Sequence, residues 1–278
     1  MISVVIPTYK NRQVFLTNLR QNLRWLEHEE IVVVNDDPDA DLTNAMQPYP
    51  NLRLLQNPVN LGFGPSVNRG VKLATQPVLF LLNDDVMLTG TGFLDAVKYF
   101  RRDRHLFAVG FAQQEKDGRL VGKNRLFWQR GLFHHRAATD LEFGDTAWAE
   151  GGCCLVDKRK FVQLHGFDPI YAPFYWEDID LCYRAKLKQW KVLFDPQYVT
   201  VHHHESTIGT HYRRRDIETV AFRNQLIFTW KNIRTATGWI EHLVYLPYNL
   251  LYYPIKGSWP FVIGLIQAIV KILFANEK

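Results

Sequence analysis

Uninterrupted apolar runs alternate with helix-like segments over the first 111 residues of the chain. Strands are predicted where aliphatic and β-branched residues run together, at residues 3–7, 31–34, 52–55, 77–82 and 107–111. Helices are predicted where apolar residues recur at helical spacing, at residues 13–26, 67–74 and 92–100, the last with Thr91 as its N-cap. Because strands that are apolar on both faces must be covered on both sides, this alternation predicts an α/β fold with a mostly parallel central sheet flanked by helices.

The pattern is less regular after residue 111 and becomes strongly apolar towards the end. Strands are predicted at residues 149–156, 191–194 and 198–202, and helices at residues 158–164 and 179–188. From about residue 230 onward aromatic and aliphatic residues dominate, and residues 260–274 form one further predicted helix. The chain is therefore expected to carry a C-terminal helical appendage.

Polar residues stand where several of the predicted strands end. The runs concerned are Pro7-Thr8-Tyr9, Asn35-Asp36-Asp37 and Asn83-Asp84-Asp85. In parallel α/β sheets, ligands bind outside the carboxyl ends of the strands. We therefore expect these side chains to meet at one rim of the sheet.

The adjacent carboxylates of Asp84 and Asp85 have two interpretations. Two such groups repel each other unless a cation or a hydrogen-bond network holds them, and hard divalent cations such as Mg²⁺ or Mn²⁺ take oxygen ligands and are shared with phosphates. A loop in which one aspartate caps the following helix would contain the same residues. This cluster alone does not decide between the two.

Two further clusters carry candidate chemistry. Glu177 and Asp178 precede a predicted helix and follow three aromatic residues, so they either complement the helix dipole or bind a sugar and accept a proton from its hydroxyl. His202, His203 and His204 end a predicted strand, where imidazoles ligate a metal or a phosphate, or form a solvated turn. Because side chains alternate along an extended chain, at most two of the three histidines can converge.

Residues 60–70 predict a glycine-containing loop in which the backbone can approach a ligand closely. Val67 occupies the third glycine position of a Rossmann fingerprint, and no strand leads directly into the loop. The chain also contains no G-x-x-x-x-G-K-[ST] sequence. The sequence therefore does not indicate a dinucleotide-binding protein or a P-loop ATPase.

Composition narrows the class of protein further. The net charge of +5 suits an anionic substrate or an anionic membrane surface, but the basic residues are scattered and the run at residues 213–215 is short, so no nucleic-acid partner is expected. The 3 cysteines are odd in number and form no C-x-x-C pair, which argues against a disulfide framework and a zinc site. The first residues lack the basic segment of a signal peptide, so a cytoplasmic protein is expected.

Taken in order, these motifs resemble the family 2 glycosyltransferases of the GT-A fold, and bacterial rhamnosyltransferase-like members in particular. The resemblance covers about the first 210 residues and is carried by residues 3–9, 32–36, 60–64, 81–86, 151–156, 166–168, 176–182 and 201–202. It implies a GT-A catalytic domain at residues 1–210, with a nucleotide-sugar-binding half at 1–110 and an acceptor-binding half at 111–210. Residues 211–278 would form a C-terminal helical segment.

The resemblance also implies a role for each candidate residue. Asp178 would be the general base, with Glu177 beside it binding a sugar, and Asp85 and His202 would form the metal or diphosphate site. Contacts to the nucleotide-sugar would come from Pro7, Thr8, Tyr9, Asp36, Asn60, Gly62, Arg69, Asn83, Asp84 and Trp176. The family usually has aspartate where Asn35 and Asn83 stand, which weakens the expected nucleobase contacts and metal affinity.

The implied activity is that of an inverting, hexosyltransferase-type enzyme of cell-envelope polysaccharide synthesis that uses Mn²⁺ or Mg²⁺. The donor would be a UDP- or dTDP-sugar, and the acceptor a hydroxyl of a glycan or a polyprenyl-linked sugar. A sugar-nucleotide pyrophosphorylase is one alternative, but it would carry a glycine-rich loop after the first strand, where residues 8–12 contain no glycine. An inactive nucleotide-sugar-binding relative is the other, but it would not need to keep Asp85, Asp178 and His202.

Residues 239–278 allow two interpretations. The predicted helix at 260–274 is short for a bilayer span and is interrupted by Lys271, and residues 239–255 contain Glu241, His242 and two prolines. The segment would then be a helical cover or an oligomer interface. Alternatively, it would be an in-plane amphipathic anchor on the inner face of the cell membrane, with lysines near anionic headgroups.

Overall fold

The computed structural model describes residues 1–202 and 207–275, so the candidate ligands His203 and His204 lie outside the described residues. The chain divides into two compact units. The first consists of Met1–Arg125, Ala137–Pro173 and Glu177–Thr207, and the second of Leu126–Arg136, Phe174–Trp176 and Ile208–Lys278. The domain limits at residues 110 and 210 stay predictions.

Strands and helices alternate through most of the chain. The strands are β1 (Ser3–Thr8), β2 (Glu30–Asn35), β3 (Leu52–Gln56), β4 (Val78–Leu82), β5 (Val86–Met87), β6 (Leu106–Gln114), β7 (Leu120–Val121), β8 (Asn124–Gln129), β9 (Leu132–Ala137), β10 (Gly144–Asp145), β11 (Cys153–Asp157) and β12 (Lys191–His202). The helices are α1 (Arg12–Leu23), α2 (Thr43–Met46), α3 (Phe63–Leu73), α4 (Phe93–Arg102), α5 (Lys158–Gln163), α6 (Glu177–Leu187), α7 (Thr207–His211), α8 (Arg214–Asn232), α9 (Ala236–Ile255) and α10 (Pro260–Ala275), with a 3₁₀ turn at Pro169–Tyr171.

The first unit is built on one large mixed sheet. Its strand order is β10-β12-β6-β11-β4-β1-β2-β3, with β5 paired to β12 and β7 to β6. The strands β1 to β4 are parallel, β6 and β12 are parallel to each other, and β11 runs antiparallel between β4 and β6. The predicted mostly parallel sheet is thereby confirmed. Six strands, β1, β2, β3, β4, β6 and β12, end at one rim, and β11 begins there.

The apolar strands lie where their composition predicts, in the interior of this unit. Every residue of β4 is buried, as are residues 31–34 of β2. The rings of Phe80, Phe93, Phe111 and Tyr198 pack against one another, with centroid distances of 4.9 to 6.2 Å. Burial of this kind contributes roughly 25 cal/mol per Å² of apolar surface and drives the sheet to form.

Several predicted boundaries were wrong. Thr91 is not the N-cap of α4, because Gly92 holds that position without a side-chain hydrogen bond. The strand predicted at residues 149–156 starts only at Cys153, because residues 151–152 form a turn. The two strands predicted at residues 191–202 are one strand, β12, with a register shift between Asp195 and Val199.

The second unit combines the β8–β9 hairpin with the long helices α8, α9 and α10. Gly264 of α10 allows close helix packing, because a Cβ there would lie 2.9 Å from the backbone nitrogen of Arg223 in α8. The side-chain amide of Asn224 donates to the carbonyl oxygens of Phe174 and Tyr175 at 2.9 and 2.8 Å. Within residues 1–202 and 207–275, no helix has both the length and the apolar character needed to span a bilayer.

Candidate active site

Asp85 and His202 meet at the rim because of how β5 pairs with β12. The turn after β4 is held by the backbone nitrogen of Asn83, which donates to the carbonyl oxygen of Gly152 at 2.8 Å. Val86 then pairs with His202 in the antiparallel β5–β12 ladder. As a result, His202 Nε2 lies 3.1 Å from Asp85 Oδ1, and both side chains are buried.

Gln113, at the end of β6, determines which nitrogen of His202 carries the proton. Its Nε2 donates to Glu150 Oε2 at 2.5 Å, so its Oε1 faces His202 Nδ1, at 2.6 Å. A carbonyl oxygen only accepts, so Nδ1 carries a proton. The other nitrogen, Nε2, faces Asp85 Oδ1: with a metal between them it would be the ligating nitrogen, and without one it would donate a hydrogen bond to the carboxylate.

The donor set at Asp85 and His202 fits a divalent cation. Two adjacent ligands of an octahedral ion, each bonded at about 2.1 Å, stand about 3 Å apart, close to the separation of these two acceptor atoms. Among the residues that the structure describes, no group of three or more His, Cys, Asp or Glu side chains is placed to hold a metal. Mg²⁺-type ions are commonly held by one or two protein ligands together with substrate phosphates and water. The two residues therefore fit a metal that is completed by a bound diphosphate.

Asp84 and Thr8 are joined by a side-chain hydrogen bond next to Asp85 and His202. The hydroxyl of Thr8 donates to Asp84 Oδ2 at 2.6 Å, and the side chain of Asn18 donates to the Asp84 backbone oxygen at 2.9 Å. Burial and, next, the charge of Asp85 raise the pKa of Asp84 to about 7. The contacts thus lock the turn that presents Asp85.

Asp36 organises the loop at residues 60–62. Its buried carboxylate accepts hydrogen bonds from Asn57 Nδ2 at 2.7 Å and from the backbone nitrogens of Leu61 and Gly62 at 2.9 and 2.8 Å. Asn60 Oδ1 also accepts from the Gly62 nitrogen, at 2.9 Å. Three of the predicted donor-binding residues are therefore joined in one hydrogen-bonded loop.

Gly62 is required in this loop for two reasons. Its φ of +87° lies in the left-handed region, and a Cβ would approach the Cα and carbonyl oxygen of Pro173 to 2.7 Å. Arg69 is tied to the same network, since its Nη1 donates to the side-chain oxygen of Asn57. Pro7 pairs with Val34 inside the sheet, and Tyr9 follows β1 with the ammonium of Lys10 5.4 Å from its ring centre.

Glu177 and Asp178 open α6, two residues earlier than predicted. Asp178 accepts from its neighbour's backbone nitrogen, that of Ile179, at 2.8 Å and from the Gly151 nitrogen at 3.4 Å. Desolvation and, next, the charge of Glu150 raise the pKa of Asp178 to about 6. Apolar side chains of a small cavity beneath Asp178, among them Leu81 and Leu181, explain the desolvation.

Glu177 differs from Asp178 in its surroundings. It is 8% exposed, and its Oε2 is buried without a hydrogen-bond partner among the described residues. Burial and the charge of Asp178 raise the pKa of Glu177 well above its usual range. The two neighbouring carboxyl groups oppose each other's ionisation, so the pair holds a proton more tightly than two isolated carboxyl groups would.

Glu150 connects the two acidic clusters and was not among the residues predicted from sequence. Its Oε2 accepts from Gln113, which contacts His202, and its Oε1 accepts from Asn124 Nδ2 at 3.1 Å. Its charge also acts on Asp178. The signal in the sequence was a carboxylate directly before the Gly151-Gly152 pair, which was hidden when residues 149–156 were predicted to form one strand.

The turn at Gly152 lies between Glu150 and the segment that carries Asp85, and it contacts that segment. A Cβ on Gly152 would lie 2.5 Å from Asn83 Nδ2, so the turn packs directly on the segment that carries Asp85. Trp176 belongs to the second unit, and its contact with the nucleotide-sugar stays a prediction. It is 3% exposed, with its ring 5.1 Å from those of His135 and Phe228.

The fold is that of a glycosyltransferase-type α/β protein, and the family profile agrees. The profile "Glycosyl transferase family 2" matches residues 3–164, more than half of the sequence, so the chain belongs to that family.

Two bacterial relatives are similar in sequence. An N-acetylglucosaminyl-diphospho-decaprenol L-rhamnosyltransferase of Mycobacterium tuberculosis is 28% identical over 205 residues, which are 63% of this chain and 66% of the relative. Rhamnosyltransferase WbbL of Escherichia coli is 24% identical over 251 residues, which are 83% of this chain and 92% of the relative. The chain thus spans just under two thirds of the mycobacterial enzyme's length.

Solved structures show the same fold at low identity. TarS 1-349 of S. aureus in complex with UDP-GlcNAc has a TM-score of 0.63 at 16% identity, covering 97% of this chain and 81% of that one. GalNAc-T7 with UDP, GalNAc and Mn²⁺ has a TM-score of 0.62 at 15% identity, covering 82% of this chain and 47% of that one. The likeness confirms the predicted GT-A fold.

Proposed function

We propose that this chain transfers a sugar from a nucleoside-diphosphate sugar to an acceptor hydroxyl, with inversion at the anomeric carbon. The observation that carries the proposal is the unbroken set of contacts from Asp85 through His202 and Gln113 to Glu150, whose charge acts on Asp178. A metal-binding pair and a carboxylate base would therefore share one rim of the sheet.

Several residues of the chain would assist the departure of the diphosphate leaving group. Asp85 and His202 would hold Mg²⁺ or Mn²⁺, which when bound offsets the negative charge that develops on the leaving diphosphate. Gln113 keeps the His202 ring in the tautomer that turns Nε2 outward, and Glu150 keeps Gln113 in its orientation. Thr8 and Asp84 hold the turn that carries Asp85.

Asp178 supplies the base. The acceptor oxygen attacks the anomeric carbon, its proton passes to Asp178, and the bond from that carbon to the diphosphate oxygen breaks. A base with a pKa of about 6 is ionised at neutral pH and still accepts a proton in the transition state. Glu177, whose buried Oε2 has no hydrogen-bond partner among the described residues, would bind a sugar hydroxyl.

The loop at residues 60–62 is the proposed cradle for the nucleotide, together with Pro7, Tyr9 and Arg69. Asp36 acts there by shaping the loop, since three hydrogen bonds already occupy its carboxylate. The names of the relatives support L-rhamnose as the transferred sugar and a polyprenyl-diphosphate-linked sugar as the acceptor. The donor would accordingly be a dTDP- or UDP-sugar.

Nucleotide release by the purified chain tests this proposal. We expect nucleoside diphosphate to appear from a donor sugar only with an acceptor and Mn²⁺ or Mg²⁺, and to be lost in Asp85→Asn and Asp178→Asn. The exposed Asp117→Asn is the matched control and should keep full activity. Production of pyrophosphate from a nucleoside triphosphate and a sugar phosphate would instead identify a pyrophosphorylase. Donor binding without turnover under any acceptor would identify an inactive relative.

A further inference from the structure

The helix α9 is polar on its buried side and apolar on its exposed side. His242 and Asn249 are its buried residues, with 2% and 3% exposure. Aliphatic residues spaced for one helical face are exposed instead, from 62% to 81%: Ile240, Val244, Leu251 and Ile255. This is the reverse of the arrangement in a water-facing helix, whose apolar stripe turns inward.

The buried polar residues of α9 make hydrogen bonds inside the second unit. His242 Nδ1 lies 2.7 Å from the carbonyl oxygen of Gly131, and its Nε2 accepts from Trp230 Nε1 at 2.9 Å. Asn249 Nδ2 donates to the carbonyl oxygen of Arg130 at 3.1 Å. Because these bonds fix the helix rotation, the aliphatic residues cannot turn inward without breaking them.

The helix α10 also exposes large apolar side chains, although its buried side is apolar rather than polar. Its buried residues are Pro260, Phe261, Gly264 and Ala268, and the Gly264 contact places this side against α8. Its bulkier side chains are 45% to 65% exposed: Ile266, Ile269, Val270, Leu273 and Phe274. Most of the exposed large hydrophobic side chains among the described residues belong to this helix and to α9. We call these exposed side chains of α9 and α10 the apolar face.

Charge distinguishes the environments that the apolar face would fit. Residues 236–275 contain Glu241, Lys256 and Lys271 as their only charged residues. The carboxylate of Glu241 is bonded within the second unit, where it accepts from Trp128 Nε1 at 2.7 Å and from the Gly131 nitrogen at 3.3 Å. Residues 236–275 therefore offer the exposed Lys256 and no outward-facing acid.

We infer that the apolar face lies in the interfacial layer of a bilayer that contains anionic headgroups. A second copy that docked through residues 236–275 by two-fold symmetry would present the exposed Lys256 again and no outward-facing acid from these residues, whereas anionic headgroups supply that charge. Trp239 and Trp259, 40% and 59% exposed, are side chains that favour the boundary between lipid tails and water. In this arrangement the helices lie along the surface, as interfacial amphipathic helices do.

Vesicle flotation of the full chain tests this inference. We expect flotation with vesicles of phosphatidylcholine plus phosphatidylglycerol, and weaker flotation with phosphatidylcholine alone. The triple variant Ile240→Glu, Val244→Glu, Leu251→Glu should remain at the bottom of the gradient. Lys256→Gln should weaken binding to the anionic vesicles about fivefold at low salt.

A matched control separates surface hydrophobicity in general from the apolar face. Val14→Glu and Val162→Glu change exposed valines of the first unit and should float as the parent chain does. Circular dichroism and nucleotide-sugar binding check that every variant is folded. Nucleotide-sugar binding and transfer are measured without vesicles, so they test the proposed transferase activity independently of membrane binding.

Two outcomes overturn the inference. One is failure of the parent chain to float with anionic vesicles. The other is a dimer in sedimentation that the triple glutamate variant converts to monomer while vesicle binding is absent, which would assign the apolar face to a second copy.

Discussion

Asp178→Asn should make the protein more stable although it removes the proposed base. The carboxyl group of Asp178 sits above apolar side chains and close to the charge of Glu150, and its pKa is about 6 against an ordinary value of 3.8. The folded state therefore binds this proton more tightly than the unfolded chain does. Asparagine has nearly the same shape and no charge, and its oxygen can still accept from the Ile179 nitrogen.

The size and sign of the effect follow from this pKa difference. The stabilisation from a raised pKa is fully present below about pH 3.8 and is lost as the pH rises through about 6. One pKa unit corresponds to about 1.4 kcal/mol, so above pH 7 the ionised carboxylate costs the folded state up to about 3 kcal/mol. Asp178 is half-buried rather than sealed from water, so this value is an upper limit.

Urea unfolding at two pH values measures the effect. We expect the free energy of unfolding of Asp178→Asn to exceed that of the parent above pH 7, and the difference to shrink towards zero near pH 4. Asp117→Asn, at an exposed site, should show no such gain. A gain of equal size at both pH values, or none above pH 7, would refute the reasoning because neither depends on the buried charge.

Three further predictions concern the same rim. In the parent, kcat/KM is expected to fall on the acidic side near pH 6. Glu150→Gln should move this fall to lower pH, because a like charge near Asp178 is removed. An unchanged pH profile would show that Glu150 does not act on the base. His202→Ala should raise the Mn²⁺ concentration for half-maximal activity about tenfold or more while leaving nucleotide-sugar binding without metal unchanged, measured by metal titration and thermal shift; an unaltered Mn²⁺ requirement would exclude His202 as a ligand. Gly62→Ala should cost about 1–3 kcal/mol of stability and weaken donor binding, because of its φ of +87° and the Pro173 backbone 2.7 Å away; full donor affinity in calorimetry would contradict the proposed role of the loop.

Much of the sheet was predictable because strand formation depends on local composition. The apolar runs predicted at residues 31–34 and 77–82 are buried strands over residues 31–34 and 78–82, and the polar runs after them lie at the predicted rim. The turn before β11 was not predictable, since Glu150 and the two glycines after it read locally as a continuation of the strand. Its hydrogen bonds go to residues far away in the chain, such as Gln113.

The sequence by itself determined which residues are apolar strands and the order in which candidate carboxylates follow them, because both are properties of neighbouring residues. Only the tertiary structure decided that Glu150 links His202 to Asp178, and that Trp176 is buried in the second unit. It also decided the direction in which the two faces of α9 point. Helical periodicity shows that a helix has a polar and an apolar side, but the partners that cover each side come from distant segments. For α9 those partners, Gly131 and Trp128 in and beside the β8–β9 hairpin, select the polar side as the buried one.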